Sequence, residues 1–307
     1  MKEDVYIDRG LRDRNAGSRN AEALDRILAN IERLGLKDNL IELEALGYTR
    51  IDGVLSADQV ERARAAILKR VEAETGNRID LDTATEADFR DLTYVYYMLY
   101  EDEVFEEILM QEKPLALMTY LLGESCVLSS IGSHFKGMGE KGVVPLHSDN
   151  GNGIPQPFPP YSLCANMNYA LTPYSREAGA LAVVPRSHQL CRQPTLPEMT
   201  LGGEGTNPDA VSMDLSPGDC VVWHGNTWHG SFPRQIPGIR MNLAVFMARQ
   251  FVVTQERHKG VVPQEVLDRH ANDERFKVLL HGRQPYNWQE EGPDYALQAQ
   301  APRGLFD

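Results

Sequence analysis

His147 and Asp149 stand two positions apart in the stretch Leu146-His147-Ser148-Asp149. On an extended backbone, residues two apart point to the same side. An imidazole and a carboxylate are then aimed at one point, as a metal site requires. The triplet alone fits a loop histidine beside a capping aspartate better. A second element changes that balance. Gly218-Asp219 opens the apolar run Cys220-Val221-Val222-Trp223, which leads into His224 and then His229. A histidine at the end of a strand far along the chain can complete a site begun by the first pair. Two imidazoles and one carboxylate on one face of an octahedral ion suit non-haem Fe(II), and they leave three positions open for chemistry.

A third element supplies a cation. Arg240 begins the run Arg240-Met241-Asn242-Leu243-Ala244-Val245-Phe246. Alternation puts Arg240 and Asn242 on one side, opposite Met241, Leu243 and Val245. An arginine facing the interior of a barrel is costly without an anion to pair with. Its planar fork grips a carboxylate through two hydrogen bonds. 2-Oxoglutarate has one carboxylate to chelate iron and another, at its far end, that needs such a partner. Taken alone, Arg240 fits a surface ion pair better.

These residues need elements to hold them. The chain, of 307 residues, divides into a helical front over 1–122, a strand-rich core over 123–252 and a tail over 253–307, read together as a single catalytic domain. Leu24, Ile27, Leu28 and Ile31 recur at helical spacing, which predicts a helix over Ala21–Leu34. Ser56 and Gln59 form a capping pair ahead of Val60, Ala63, Ile67 and Val71, which predicts a second. Asp88–Leu122 reads as a further helical stretch, with Tyr94, Tyr96, Tyr97 and Tyr100 packing against a sheet. From Val127 onward, short β-branched and aromatic runs alternate with Gly, Pro and Asn clusters. Candidate strands are Val127–Lys136, Leu163–Ala170, Leu181–Val184, Ala210–Met213, Cys220–Trp223 and Arg240–Phe251. The tail carries one predicted helix, Gln264–Ala271, and irregular sequence. The fold class is mainly β with added helices: a double-stranded β-helix, a cupin-like jelly roll, behind an N-terminal helical region.

Between Ile131 and Ala248 the chain resembles the phytanoyl-CoA dioxygenase family of 2-oxoglutarate oxygenases. The stretches that carry the resemblance are Phe135-Lys136, Leu146–Asp149, Gly179-Ala180-Leu181-Ala182-Val183-Val184-Pro185-Arg186-Ser187-His188, Gly218-Asp219, His229-Gly230-Ser231 and Arg240. The entry Leu46–Ser56 also resembles the family's N-terminal start. The resemblance implies that His147, Asp149 and His229 bind Fe(II), and that Arg240 and Ser231 bind the far carboxylate of 2-oxoglutarate. It chooses His229 over His224, because Arg240 lies eleven positions after His229 and Ser231 two after it. His224 is then a neighbour of the site or a structural residue, and His188 belongs to a structural turn. The family usually has glycine where Arg186 stands, so Arg186 marks either a different turn or a substrate contact. Some members place an aromatic residue against the cosubstrate near Asn166. Here Asn166 takes about that place, as a candidate contact of the cosubstrate, and shares one side with Asn168, which suggests a polar pocket wall; bonds to neighbouring backbone are the competing role.

The implied reaction consumes 2-oxoglutarate and O2, releases succinate and CO2, and oxidises a C–H bond of a small molecule. Hydroxylation is the default outcome, with desaturation, rearrangement and epimerisation open to the same site. Halogenation is not expected, because Asp149 keeps the carboxylate that halogenating relatives lack. The segment Asn150–Tyr161 has the composition of a flap over the site, or of an ordinary long connection. No cluster of Lys and Arg suggests a coenzyme A phosphate site, so an acyl-CoA substrate is not expected. Two other classes compete: a zinc hydrolase using the same triad, and a cupin-like binding protein without turnover.

Composition bounds the partners. The formal net charge is −13, which argues against nucleic acid and anionic membrane. Apolar residues make up 42% of the chain, enough for a large core, yet no run of about eighteen exists to span a bilayer. The N-terminal residues are charged, with no apolar signal segment, so a cytoplasmic location is expected. Cys126, Cys164, Cys191 and Cys220 form no Cys-x-x-Cys pair and read as small buried hydrophobes. The oligomeric state is left open.

Overall fold

The computed structural model describes residues 21–90, 92–139, 143–151, 153–282, 288–289 and 292–293. Strands β1 (Tyr48–Ile51), β2 (Tyr94–Val95), β3 (Val127–Lys136), β4 (Val144–His147), β5 (Cys164–Ala170) and β6 (Leu181–Val183) come first. Then follow β7 (Val211–Ser212), β8 (Cys220–His224), β9 (His229–Ser231) and β10 (Arg240–Ala248). They form two antiparallel sheets. One has six strands in the order β1-β8-β5-β10-β3-β2; the other has four in the order β4-β9-β6-β7. Order and crossovers are those of a double-stranded β-helix.

Period-two alternation decides which face each residue serves. Along β10, Met241, Leu243, Val245 and Met247 are fully buried in the core beneath the six-stranded sheet. Arg240, Asn242, Ala244 and Phe246 line the cavity on the other face. Strand β5 repeats the pattern, with Ala165, Met167 and Tyr169 in that core and Asn166 and Asn168 on the cavity. Helices cover the apolar face. They are α1 (Ala21–Arg33), α2 (Lys37–Leu46), α3 (Ala57–Thr75), α4 (Val104–Leu109) and α5 (Glu112–Leu122). Their contribution includes Ile31, Leu43, Ile67, Phe105 and Leu117. Each of these large side chains stabilises the fold by roughly 1.5–3 kcal/mol when fully buried. Tyr48, Leu181, Val183, Val221 and Trp223 form a smaller core between the two sheets.

The predicted capping box starts α3: Gln59 N–H donates to Ser56 Oγ at 3.2 Å, and Ser56 N–H donates to Gln59 Oε1 at 3.1 Å. Helix α1 buries Ala23, Ile27 and Ile31, while Leu28 of the predicted stripe is 39% exposed. The largest difference lies in the tyrosine-rich segment. It is not one helical stretch: Tyr94-Val95 pairs with His134 and Ser133 as an edge strand of the large sheet. The helical front thus supplies two sheet strands, β1 and β2. Helix propensity there yields to the sheet edge that β3 offers. The predicted strand Arg240–Phe251 ends at Ala248. The tail carries α6 (Gln264–Arg269) and also α7 (Glu274–His281), followed by the short pair β11 (Trp288–Gln289) and β12 (Gly292–Pro293). Asp273 caps α7 through Phe276 N–H at 3.0 Å, and Phe276 enters the main core. Among the described residues, no helix is long and apolar enough to cross a membrane.

Candidate active site

The cavity between the sheets has a volume of about 440 Å³. His147 and His229 enter it from neighbouring strands, as a directly paired position of β4 and β9. Their ring centroids lie 4.3 Å apart. Asp149 follows β4 in a short 3-10 turn. Its Oδ1 is 3.7 Å from His147 Nε2 and its Oδ2 is 3.6 Å from His229 Nε2. One donor atom from each residue lies within 4.8 Å of the others.

The chemistry of this donor set suits a metal ion. His147 Nδ1 lies 2.9 Å from the Pro145 carbonyl, and His229 Nδ1 lies 3.0 Å from the Thr227 carbonyl. A carbonyl only accepts, so each Nδ1 carries the hydrogen and each Nε2 turns its lone pair to the centre. Burial pushes the His229 imidazole down to about 4, against the pull of the Asp149 carboxylate, so it is neutral near pH 7. Asn166 donates through Nδ2 to Asp149 Oδ2 at 2.7 Å and fixes the carboxylate from the strand behind. Trp223 packs its ring 4.7 Å from that of His229.

A cationic end lies beyond the triad. Arg240 is 4% exposed. It donates to the Tyr174 hydroxyl at 3.1 Å, and its buried Nε has no hydrogen-bond partner. Nearby, Ser231 Oγ accepts from Lys136 Nζ at 2.8 Å and from Val144 N–H at 3.2 Å. A buried guanidinium facing a hydroxyl and an orphaned N–H is a cradle for an anion.

The structure therefore brings His147, Asp149, His229, Ser231, Arg240 and Asn166 to one cavity. Asn168 joins them, accepting from Asn242 Nδ2 at 3.0 Å. The polar wall holds, and Asn166 reaches it through the carboxylate of Asp149. His224 does not join. It is buried against His188, at 5.5 Å between rings, and its Nδ1 accepts the Asn226 N–H at 3.0 Å. Arg186 keeps the left-handed turn that glycine normally serves, with φ +67°, and its side chain is exposed, away from the cavity. The segment from Asn150 to Tyr161 is a pinned connection, and none of its described residues lines the cavity. Asn150 donates to Asn226 Oδ1 at 2.7 Å, Asn226 donates to the Pro159 carbonyl at 2.9 Å, and Phe158 is buried.

Sequence reasoning missed part of the lining. Tyr94 and Tyr96 form a wall, 4.3 Å apart in an edge contact, and Tyr94 packs 4.3 Å from His134. Their role depends on β2, which the tyrosine pattern hid. Lys136 stood in a recognised stretch without a role. The alternation of β3, which sets Ser130, His134 and Lys136 on one side, carried that signal.

The family model for phytanoyl-CoA dioxygenase (PhyH) matches residues 43–242, well over half of the chain. The chain belongs to this family. A curated relative, the dioxygenase aneA of Aspergillus aculeatus, is 24% identical over 149 residues. That match covers 45% of this chain and 47% of the relative, about half of its length. Among solved structures, the family's chain is similar to HygX from Streptomyces hygroscopicus with nickel and 2-oxoglutarate bound, at 17% identity and a TM-score of 0.55. The overlap covers 71% of this chain and 88% of HygX. The epimerase SnoN, in complex with Fe3+, alpha ketoglutarate and nogalamycin RO, matches at 22% identity and a TM-score of 0.52, over 71% and 84% of the two chains. At these identities the likeness describes the fold.

Proposed function

We propose that this chain acts as one catalytic unit, an Fe(II)- and 2-oxoglutarate-dependent dioxygenase that oxidises a C–H bond of a small molecule. One observation carries the reading: a two-histidine, one-carboxylate cluster and a buried, anion-poor arginine face the same cavity. His147, Asp149 and His229 would hold the iron. Arg240 and Ser231 would hold the far carboxylate of the cosubstrate. When bound, iron and 2-oxoglutarate together supply the oxidising chemistry with O2, releasing succinate and CO2.

The chain's own residues do the rest. The Pro145 and Thr227 carbonyls orient the two imidazoles. Asn166 holds Asp149 in one rotamer, with its carboxylate turned toward the two imidazoles. Arg240 fixes the cosubstrate's length and direction across the cavity. Tyr94, Tyr96, Ser130 and Gln255 stand at the remaining wall, where a substrate would lie. Among the described lining residues there is no lysine and no second arginine, which supports a substrate other than an acyl-CoA. The molecules bound in the HygX and SnoN structures, hygromycin B and nogalamycin RO, are small molecules as well.

Anaerobic titration of the Fe(II)-loaded protein with 2-oxoglutarate tests the reading. A weak metal-to-ligand charge-transfer band in the visible is expected as the keto acid chelates the ion. Iron bound with no such band would overturn it and favour hydrolytic metal chemistry.

A further inference from the structure

Lys136 is a buried lysine, 3% exposed, at the end of β3. Its stem runs past Gly179, where an added Cβ would come within 2.9 Å of Lys136 Cδ and 3.1 Å of Arg234 Cβ. The amine therefore sits in a channel shaped to its chain. It does not line the cavity, but stands behind Ser231. Its Nζ donates to Ser231 Oγ and to the Phe232 carbonyl, each at 2.8 Å. Two donations are what a neutral amine can make; an ammonium has a third hydrogen to place.

The surrounding charges oppose that third hydrogen. Arg240 is the direct cross-strand partner of Lys136 on β10. Arg234 approaches from the segment after β9, and its guanidinium is taken up by the Ala178, Pro237 and Gly238 carbonyls. His134 lies on β3 itself, on the same side. Glu86, from the 3-10 turn before β2, is the acid that favours the charged form. No carboxylate among the described residues makes an ion pair with Lys136. Burial, then Arg240, push the amine down to about 6, with Glu86 opposing.

We propose that Lys136 is a positioning residue for the cosubstrate, and that it takes up a proton when a dicarboxylate seats its far carboxylate on Arg240 and Ser231. The incoming anion offsets Arg240, which removes the main repulsion and adds an attraction across the Ser231 hydroxyl. The proton comes from solvent or buffer, which gives up its bond to hydrogen as the N–H bond forms at Nζ, and nothing is oxidised or reduced. This rests on the cosubstrate reading above, and it adds a linkage that the reading does not require.

The sign follows from the shift. Well below about pH 6 the amine is already charged, so binding takes up no proton. Above it, the free protein must gain one. Affinity for 2-oxoglutarate should then fall by about tenfold per pH unit between pH 7 and 8, as linkage to one proton requires.

The test is calorimetry of 2-oxoglutarate binding to the nickel-loaded full chain, in buffers of low and high ionisation enthalpy. Near pH 7.5, close to one proton per site should be taken up, and near pH 5.5 only about a quarter of one. Lys136→Met should bind more weakly and take up no proton. Where that variant fails to fold, the pH slope of the unsubstituted protein decides. Binding with no proton uptake from pH 7 to 8, or uptake unchanged in Lys136→Met, would overturn this inference and leave the oxygenase reading standing. No binding of 2-oxoglutarate at all would overturn both.

Discussion

The two ends of the cavity are built in different ways. The triad end is made by adjacent strands of the small sheet: His147 and His229 face each other across one ladder, and Asp149 is two residues on. The two imidazoles are oriented locally, each Nδ1–H donating to a carbonyl two residues before it, Pro145 and Thr227. The tyrosine wall is made by segments far apart in sequence. Tyr97 N–H donates to Glu256 Oε1 at 2.6 Å across a separation of 159 residues, and Ile131 N–H donates to Oε2 at 3.1 Å. Tyr97 is also held at φ +59°, an unfavourable conformation for a tyrosine. So the chemical centre depends on one short strand pairing, and the wall depends on one buried carboxylate that joins the front to the tail. The first arrangement suits a reaction that is held constant. The second suits a recognition surface that can change without moving the metal.

Removing a triad residue attacks the first end and has the largest expected effect. His147→Ala, Asp149→Ala or His229→Ala should abolish iron binding and bring succinate release to background, as metal analysis of the purified protein would reveal. Full retention of iron by any of them would remove that residue from the ligand set. Next comes Arg240→Ala. Losing a buried charged partner should raise the dissociation constant for 2-oxoglutarate more than about tenfold while leaving iron content unchanged. An unchanged constant would move the anion elsewhere. The wall should respond to Glu256→Gln. Loss of charge-assisted bonds to two N–H groups should cost about 1.5–3 kcal/mol of stability in denaturant unfolding. Uncoupled turnover of 2-oxoglutarate should persist in that variant, since the triad is built without Glu256. If turnover fell with stability, the two ends would not be independent. The smallest effect is expected for His224→Gln, which should keep iron affinity within about twofold, because the ring bonds Asn226 and the Pro160 backbone and packs on His188, away from the triad.

The same contrast explains what the sequence revealed. The pair His147 and Asp149 was readable because period-two spacing is a local fact, while His229 and Arg240 came from the resemblance to the family, whose offsets they match. Strands β5 and β10 were readable because their alternating sides differ sharply in polarity, and β8 because it is a short apolar run opened by Gly218-Asp219. Tyr94 and Tyr96 were not, because the helical reading of a tyrosine cluster gives way only when β3 is present to pair with it. Helix α7 was hidden because its capping aspartate and Phe276 lie in polar surroundings, and the face that packs on the main core is short. The segment after Asp149 has the composition of a flap, but Asn150 is structural: it donates to Asn226 beneath the segment. Composition describes a loop's solubility, and partners elsewhere in the chain decide whether it moves.

Strand β4 is the outer strand of the four-stranded sheet, and its pairing with β9 is irregular between Val144 and His147. One end of this strand carries His147, and the other touches Ser231 through the Val144 N–H. An ion gripping His147 and His229 would clip the strand in place and thereby steady the hydroxyl at the opposite end. The two cofactor halves would then be coupled through four residues of backbone, so that each should bind more tightly when the other is present. Amide hydrogens of β4 should exchange faster in the metal-free protein than those of β9, and slow together once the ion is bound.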